Sequence, residues 1–264
     1  MRVSRLVLSL ILILSCSSQL SSQQPSTSAE RDANATAVLN RAVAALGGTA
    51  AYSQTNGVVA RGSLNAAAGG ISGSILWEWA GPEFRYERSG PNGSVVFVSG
   101  HGNPALSDGG KIRRNIYHLA MVTFPVHLPS IALATSLNSP NVSMGAPQQV
   151  AVNGVSALKI SLVDQTDSLS STICQQTWYF DSTTLVPFRV DYLTSEANDA
   201  TNAPQEYTLL SDYRNVSGVL LPFHIVTFFN GRRVEDVTLT SVQVGVPTPS
   251  SDFEPSVSVS GGAL

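Results

Sequence analysis

Four hydrophobic patterns follow one another along the 264-residue chain, and each predicts a different kind of element. Leu6 to Leu14 is an unbroken apolar run behind Arg2 and Arg5. Nine residues are too few to cross ~30 Å of hydrocarbon as a helix, and they fit the apolar core of a signal peptide. Ala35, Val38, Leu39, Ala42, Val43 and Leu46 then fall on one helical stripe, which predicts an amphipathic helix ended by Gly47-Gly48. Thr27 and Ser28 offer its caps, with Glu30 three residues after Thr27 as in a capping box. From Gly57 the period changes to two: Ile75, Trp77 and Trp79 alternate with Leu76 and Glu78, and Phe84, Tyr86 and Arg88 with Arg85 and Glu87. Turn clusters such as Gly90-Pro-Asn-Gly93 recur roughly every ten residues, which predicts an antiparallel meander.

A second run of strands is predicted near 154–163, 172–181, 186–193, 206–213, 218–229 and 233–244, with tight turns at Asn153-Gly154 and Asn230-Gly231. Between the two runs, residues 115–140 contain no Asp, Glu, Lys or Arg and are interrupted by Pro125 and Pro129. This predicts two or three short apolar helices rather than a membrane span. Helices this apolar must be covered, or must cover something, so the segment reads as a core-filling connection or a lid over a curved sheet. The chain therefore divides into a signal peptide (1–15), a flexible tether (16–29), one mainly β domain (30–255) and a flexible tail (256–264).

The leader sets the compartment. Ile13-Leu14-Ser15-Cys16 resembles a bacterial lipobox, which would make Cys16 the lipidated N-terminus; ordinary cleavage near Ser17 is the alternative. Residues 17–28 are serine- and glutamine-rich, a composition that cannot bury enough apolar area to fold and behaves as a tether. Both readings export the chain to the cell envelope, with the periplasmic face of the outer membrane favoured. Removing Arg2 and Arg5 with the leader leaves 13 positive against 18 negative residues. That balance, and a charged fraction of 12%, exclude a nucleic-acid binder with a basic face.

Motifs of catalysis fail on their context. Ser156-Ala-Leu-Lys159 matches S-x-x-K but its flanks alternate as a strand, and neither partner motif occurs. Gly100-His-Gly102-Asn-Pro-Ala105 imitates a dinucleotide loop without a βαβ unit. His101, His118, His127 and His224 have no metal-ligand spacing. Asp108 and Asp164 to Asp167 read as turns with solvated carboxylates, and Cys174 as an inert half-buried thiol on a strand. No cofactor, metal or catalytic group is expected.

Residues 218–255 carry a family resemblance. A strand opened by Leu221-Pro222 turns at Asn230-Gly231, returns as Val234 to Val244, and leads through a proline-serine loop to Asp252-Phe253-Glu-Pro255. This resembles the closing hairpin of the LolA-like periplasmic lipoprotein carriers and their outer-membrane relatives. The opening helix ending Ala44-Ala-Leu-Gly-Gly48 and the order helix, strands, short apolar helices, strands are similar to that group as well. The resemblance implies a curved antiparallel half-open barrel, with the N-terminal helix and short central helices covering a concave face that takes acyl chains. Trp77, Trp79, Phe84, Tyr86 and Trp178 are then expected on the walls, facing Leu119, Phe124, Leu128 and Leu133 of the lid. The expected function is non-enzymatic binding of a lipid, lipoprotein acyl chain or other apolar ligand, by a carrier, chaperone or sensor held at the membrane through Cys16. An envelope protein is a further expected partner. The alternative is a surface-anchored structural or adhesive β-domain with a protein or glycan partner.

Overall fold

The computed structural model describes residues 29–48, 57–67, 70–81, 83–91, 93–100, 103–109, 111–114, 125–193 and 205–255. The signal peptide, Cys16, most of the tether, His101, His118, Leu119, Phe124 and the C-terminal tail lie outside them. Among the described residues a single 14-stranded antiparallel sheet carries the fold. Its first arm is the meander β1 (Val58–Ala66), β2 (Gly73–Ala80), β3 (Glu83–Gly90), β4 (Gly93–Gly100), β5 (Asn103–Asp108) and β6 (Lys111–Arg114). The second arm holds β7 (Val142–Met144), β8 (Gln148–Val152), β9 (Val155–Asp164), β10 (Gln175–Asp181), β11 (Pro187–Leu193), β12 (Gln205–Val216), β13 (Val219–Phe229) and β14 (Arg232–Val244). The arms join where β1 pairs with β14, Val58 opposite Val244 and Ala66 opposite Glu235. The ladder ends at β6 on one side and β7 on the other, so the barrel is half-open.

Curvature can be read from one set of contacts. Strands β3 and β14 are separated by β2 and β1, so they lie about 14 Å apart measured along the sheet. Yet Tyr86 donates to Glu235 at 3.3 Å and Arg88 pairs with Glu235 at 2.5 Å. Those side chains meet only because the sheet curls between them. Register shifts at Arg61/Gly62 and Thr227/Phe228 supply part of the bend. At the first of these, a Cβ on Gly62 would stand 2.2 Å from the Thr238 carbonyl oxygen, so only glycine lets β1 and β14 approach this closely.

The concave face is lined by alternate residues of every long strand, Ile75, Trp77 and Trp79 on β2 and Leu221, Phe223 and Ile225 on β13 among them. It is filled by α1 (Ala33–Ala45), a 3-10 turn (Pro125–His127) and α2 (Pro129–Asn138). The stripe read from the sequence is the buried face of α1: Ala35, Leu39, Ala42, Val43 and Leu46. Its start differs from the capping expectation. Residues 29–32 run extended beside 140–144, with Asp32 N donating to Met144 O and Met144 N to Glu30 O. The helix therefore begins later, and the Asp32 carboxylate caps it by accepting from Ala35 N at 2.9 Å. Asp32→Ala is expected to cost about 1 kcal/mol of unfolding free energy, measurable by urea denaturation.

The strand expected over 172–181 is shortened. Asp167 accepts from Ser170 N at 2.7 Å and caps a short helix, α3 (Ser168–Ile173), so β10 starts only at Gln175. Asp167 is thus a helix cap rather than a merely solvated turn carboxylate. Cys174 ends that helix instead of sitting in a strand, and it is buried. The remaining second-run strands fall where the alternation placed them, with ends shifted by up to three residues.

Candidate functional site: an apolar cleft under the lid helix

A cleft of about 370 Å³ separates α2 from the facing arms of the sheet. One wall is the end of the β2–β3 hairpin: Trp79, Gly81 and Phe84. Gly81 holds φ +59° there, a left-handed turn position that favours glycine. The lid contributes Pro125, Ile131, Ala132, Thr135 and Ser136, with Ser139 and Val142 at its far end. The opposite wall is Leu162, Asp164, Cys174 and Gln176 from β9, the end of α3 and β10. The size lies within the ~300–1,000 Å³ of small-ligand sites, and the mix of apolar wall with a few polar groups is typical of them.

The lid is pinned by aromatic stacking. His127 lies flat on Trp77, with centroids 4.9 Å apart and planes at 13°. Trp77 stacks in turn on Tyr86 at 5.7 Å and meets Trp79 edge-on at 6.0 Å. Pro129 starts α2 where its missing N–H costs nothing. Burial pushes the His127 imidazole down to about 3, from an ordinary 6.5. The folded state thus excludes a proton that the unfolded chain takes up below pH 6.5, and stability is lost as pH falls through that window. At pH 5 the loss from this one group is about 2 kcal/mol. Denaturation curves between pH 7 and 5 are expected to show that slope, and His127→Phe to flatten it.

Beside the cleft lies a buried polar cluster on the same concave face. Tyr86 is two residues from Phe84 on β3, and Tyr192 is opposite Gln176 in register, so both cleft walls lead into it. Tyr192 donates to Glu206 at 3.1 Å and shares a hydrogen bond with Thr208, which continues to Thr227. Thr227 pairs across the strands with Glu235, the partner of Tyr86 and Arg88. Burial raises the Tyr86 and Tyr192 phenols well above their usual range, with the Glu235 and Glu206 carboxylates adding to the effect. Burial likewise raises the Glu235 carboxyl, partly offset by Arg88. On the opposite wall, burial pushes the Cys174 thiol up to about 12, with Asp164 and Asp167 contributing. A thiol held that high is neutral and unreactive.

The convex face carries a different constellation. Ser211 Oγ is 3.1 Å from His224 Nδ1, and His224 Nε2 is 2.9 Å from Asp236 Oδ1. The residue types are those of a hydrolytic triad. However, His224 is half-buried on the outer surface of three paired strands, and Arg233 shares Asp236 at 2.9 Å. The three groups form a hydrogen-bonded network across β12, β13 and β14. Ser156 and Lys159 lie on β9 three residues apart and point to opposite faces. Among the described residues no cluster of His, Cys, Asp and Glu could hold a metal, and no helix is long and apolar enough to cross a membrane.

No protein-family model matches the sequence, and no curated protein is similar to it in sequence. Solved structures are similar in fold. One is a domain described as an outer membrane lipoprotein-sorting protein from Vibrio parahaemolyticus, at a TM-score of 0.54 and 11% identity, covering 83% of this chain and 96% of that one. Another is a LolA superfamily protein from Nitrosomonas europaea, at a TM-score of 0.52 and 10% identity, covering 84% of this chain and 97% of that one. The chain has the LolA-like fold.

Within the LolA-like frame, the residues expected at the site divide into groups. Trp79 and Phe84 line the cleft. Trp77, Tyr86, Leu128, Leu133 and Trp178 belong to the contiguous core around it. Trp178 is turned inward, with its indole N–H on Gln176 Oε1 at 2.7 Å. Leu119, Phe124 and Cys16 lie outside the described residues. The far wall of the cleft, Leu162, Asp164, Cys174 and Gln176, was not anticipated. Its signal would have been the register Gln175↔Val163 and Gln176↔Leu162, and register is not written in either strand alone.

Proposed function

We propose that this chain is a non-enzymatic carrier, chaperone or sensor of the bacterial cell envelope, a lipoprotein that holds an acyl chain or similar apolar ligand between α2 and the arms of its LolA-like sheet. The observation that carries this reading is the cleft itself: an apolar-walled space beneath a lid helix, bordered by the buried core. Burying an acyl chain there gains about 0.8 kcal/mol per methylene and needs no catalytic group. The neighbours' descriptions, a lipoprotein-sorting domain and a LolA superfamily protein, agree with such a role.

Anchoring through Cys16 fits the same geometry. Ala29 N donates to Pro140 O at 3.2 Å, between the cleft-lining Ser139 and Val142, so the tether meets the domain at the rim of the cleft. Thirteen further residues back to Cys16 span at most about 45 Å, which keeps the cleft close to the bilayer that holds the lipid. The alternative, a structural or adhesive β-domain, calls for a filled interior, which the cleft does not favour. Native mass spectrometry of protein purified from membranes tests the proposal. Non-covalent lipid adducts, together with the covalent mass of a lipidated Cys16, are expected. An apo mass with no uptake of added acyl ligand would contradict the binding role.

A further inference from the structure

We infer that the free edge of β8 is where a second copy of this chain docks, by antiparallel pairing of β8 with itself about a two-fold axis. The inference goes beyond ligand binding and concerns the two edges of the half-open sheet. At one edge, β6 reads Lys111-Ile-Arg-Arg114. Like charges facing one another across a strand pair are destabilising, so this edge resists a copy of itself. At the other edge, the part next to the tether is taken: Met144 on β7 exchanges backbone hydrogen bonds with Glu30 and Asp32. β8 continues that edge, and among the described residues it pairs only with β9. Residues 145–158 contain no Asp, Glu, Lys or Arg, so the charged side chains that usually guard an edge strand are missing.

Register shows which backbone groups face outward. Asn153 (φ +51°) and Gly154 (φ +82°) form a tight turn, so Val152 and Val155 exchange hydrogen bonds. In alternation, Val150 does the same with Ala157 and Gln148 with Lys159. The N–H and C=O groups of Gln149 and Ala151 therefore point away from β9. A copy turned about Val150 sets Gln149 opposite the partner's Ala151 and Ala151 opposite the partner's Gln149, so every one of these outward groups finds a partner. Val150, Val152 and the exposed Val155 share one face of the hairpin, and the two-fold joins both sets into one apolar patch. The Gln149 side chain is held on Ser156 Oγ at 2.7 Å, within its own hairpin. Pro147 has no N–H at the next outward position and ends the ladder there. With β6 charged and β7 covered, a single open edge closes a dimer and cannot grow a filament. The ladder is short, so the dimer is weak in solution; copies tethered to one bilayer through Cys16 gain from their raised local concentration.

The test is analytical ultracentrifugation of the chain carrying Cys16→Ser, which removes the lipid and a competing thiol, from about 1 μM to about 1 mM. A reversible dimer with a Kd of roughly 10–500 μM is expected, because the pairing covers less than the ~1,200 Å² of a standard interface. Ala151→Pro removes an outward N–H that β9 does not use. It should weaken the dimer at least about tenfold and leave the melting temperature within a few degrees. Val150→Cys should give a disulfide-linked dimer on mild oxidation, whereas Val155→Cys, away from the axis, should not. A chain that stays monomeric throughout would overturn the inference. So would a dimer unchanged by Ala151→Pro, or one without the Val150→Cys crosslink, since its contact lies elsewhere. A monomer whose melting temperature falls by about ten degrees or more in Ala151→Pro would mean that the chain's own tether or tail occupies the edge, and would overturn it as well.

Discussion

Trp77→Ala is expected to lower the folding free energy by about 3–5 kcal/mol, the range for deleting a fully buried large aromatic. The indole is completely buried at the centre of the concave face. It is also the surface on which the lid rests, through His127 at 4.9 Å, and it stacks on Tyr86 at 5.7 Å. Truncation would remove both packing partners at once and leave a void lined by groups that cannot collapse onto it without shifting the sheet. For a domain of this size the thermal midpoint should fall by roughly 10 °C. Urea denaturation followed by far-ultraviolet circular dichroism reads the change. A loss under about 1 kcal/mol would mean that the lid is not held by this stack.

Ile131→Trp is expected to abolish acyl binding while leaving the fold intact. Ile131 is half-buried on α2 and lines the cleft, so a larger ring enters space that a ligand would occupy rather than space already filled. Affinity for a ten-carbon neutral amphiphile should fall by about a hundredfold or more, as several methylenes lose their burial at about 0.8 kcal/mol each. The melting temperature should change by only a few degrees, because overpacking is felt where no space exists. Undiminished binding in a folded Ile131→Trp protein would place the ligand elsewhere.

Much of this architecture was legible in the sequence because it is written in local periods. The alternation Ile75, Trp77, Trp79 fixed which face of β2 is buried, and the stripe from Ala35 to Leu46 fixed the buried face of α1. Pro129 and the uncharged stretch marked a broken helical lid. Where local signals compete, the structure departs from the periodic pattern. The apolar end of Thr172-Ile-Cys174 looked like a strand, yet the Asp167 cap on Ser170 N turned the preceding serines into a helix. Glu30 looked like a capping residue, yet its backbone is committed to Met144, far along the chain.

The site was less legible because it depends on what curls together. Nothing in Arg88 or Tyr86 announces a partner at Glu235, nearly 150 residues later; the curl of the sheet brings them together. The same holds for Gln176 and Tyr192, joined by register, and for Ser211, His224 and Asp236, aligned across three strands without a motif in any one of them. The resemblance, together with strand position and aromatic character, puts Trp77 and Trp178 on the walls. Full burial made them core, and the shorter Ile131, Leu162 and Cys174 form the cleft surface instead.

The central claim is that an apolar chain lies between α2 and the arms of the sheet, and photo-crosslinking with peptide mapping tests it most directly. A diazirine placed along the chain of a neutral monoacylglycerol should label peptides containing Ile131 to Ser136 on the lid and Leu162 to Gln176 on the far wall. Labelling should disappear in Ile131→Trp. Label confined to the convex strands around His224 and Arg189, or persisting unchanged in Ile131→Trp, would contradict the account.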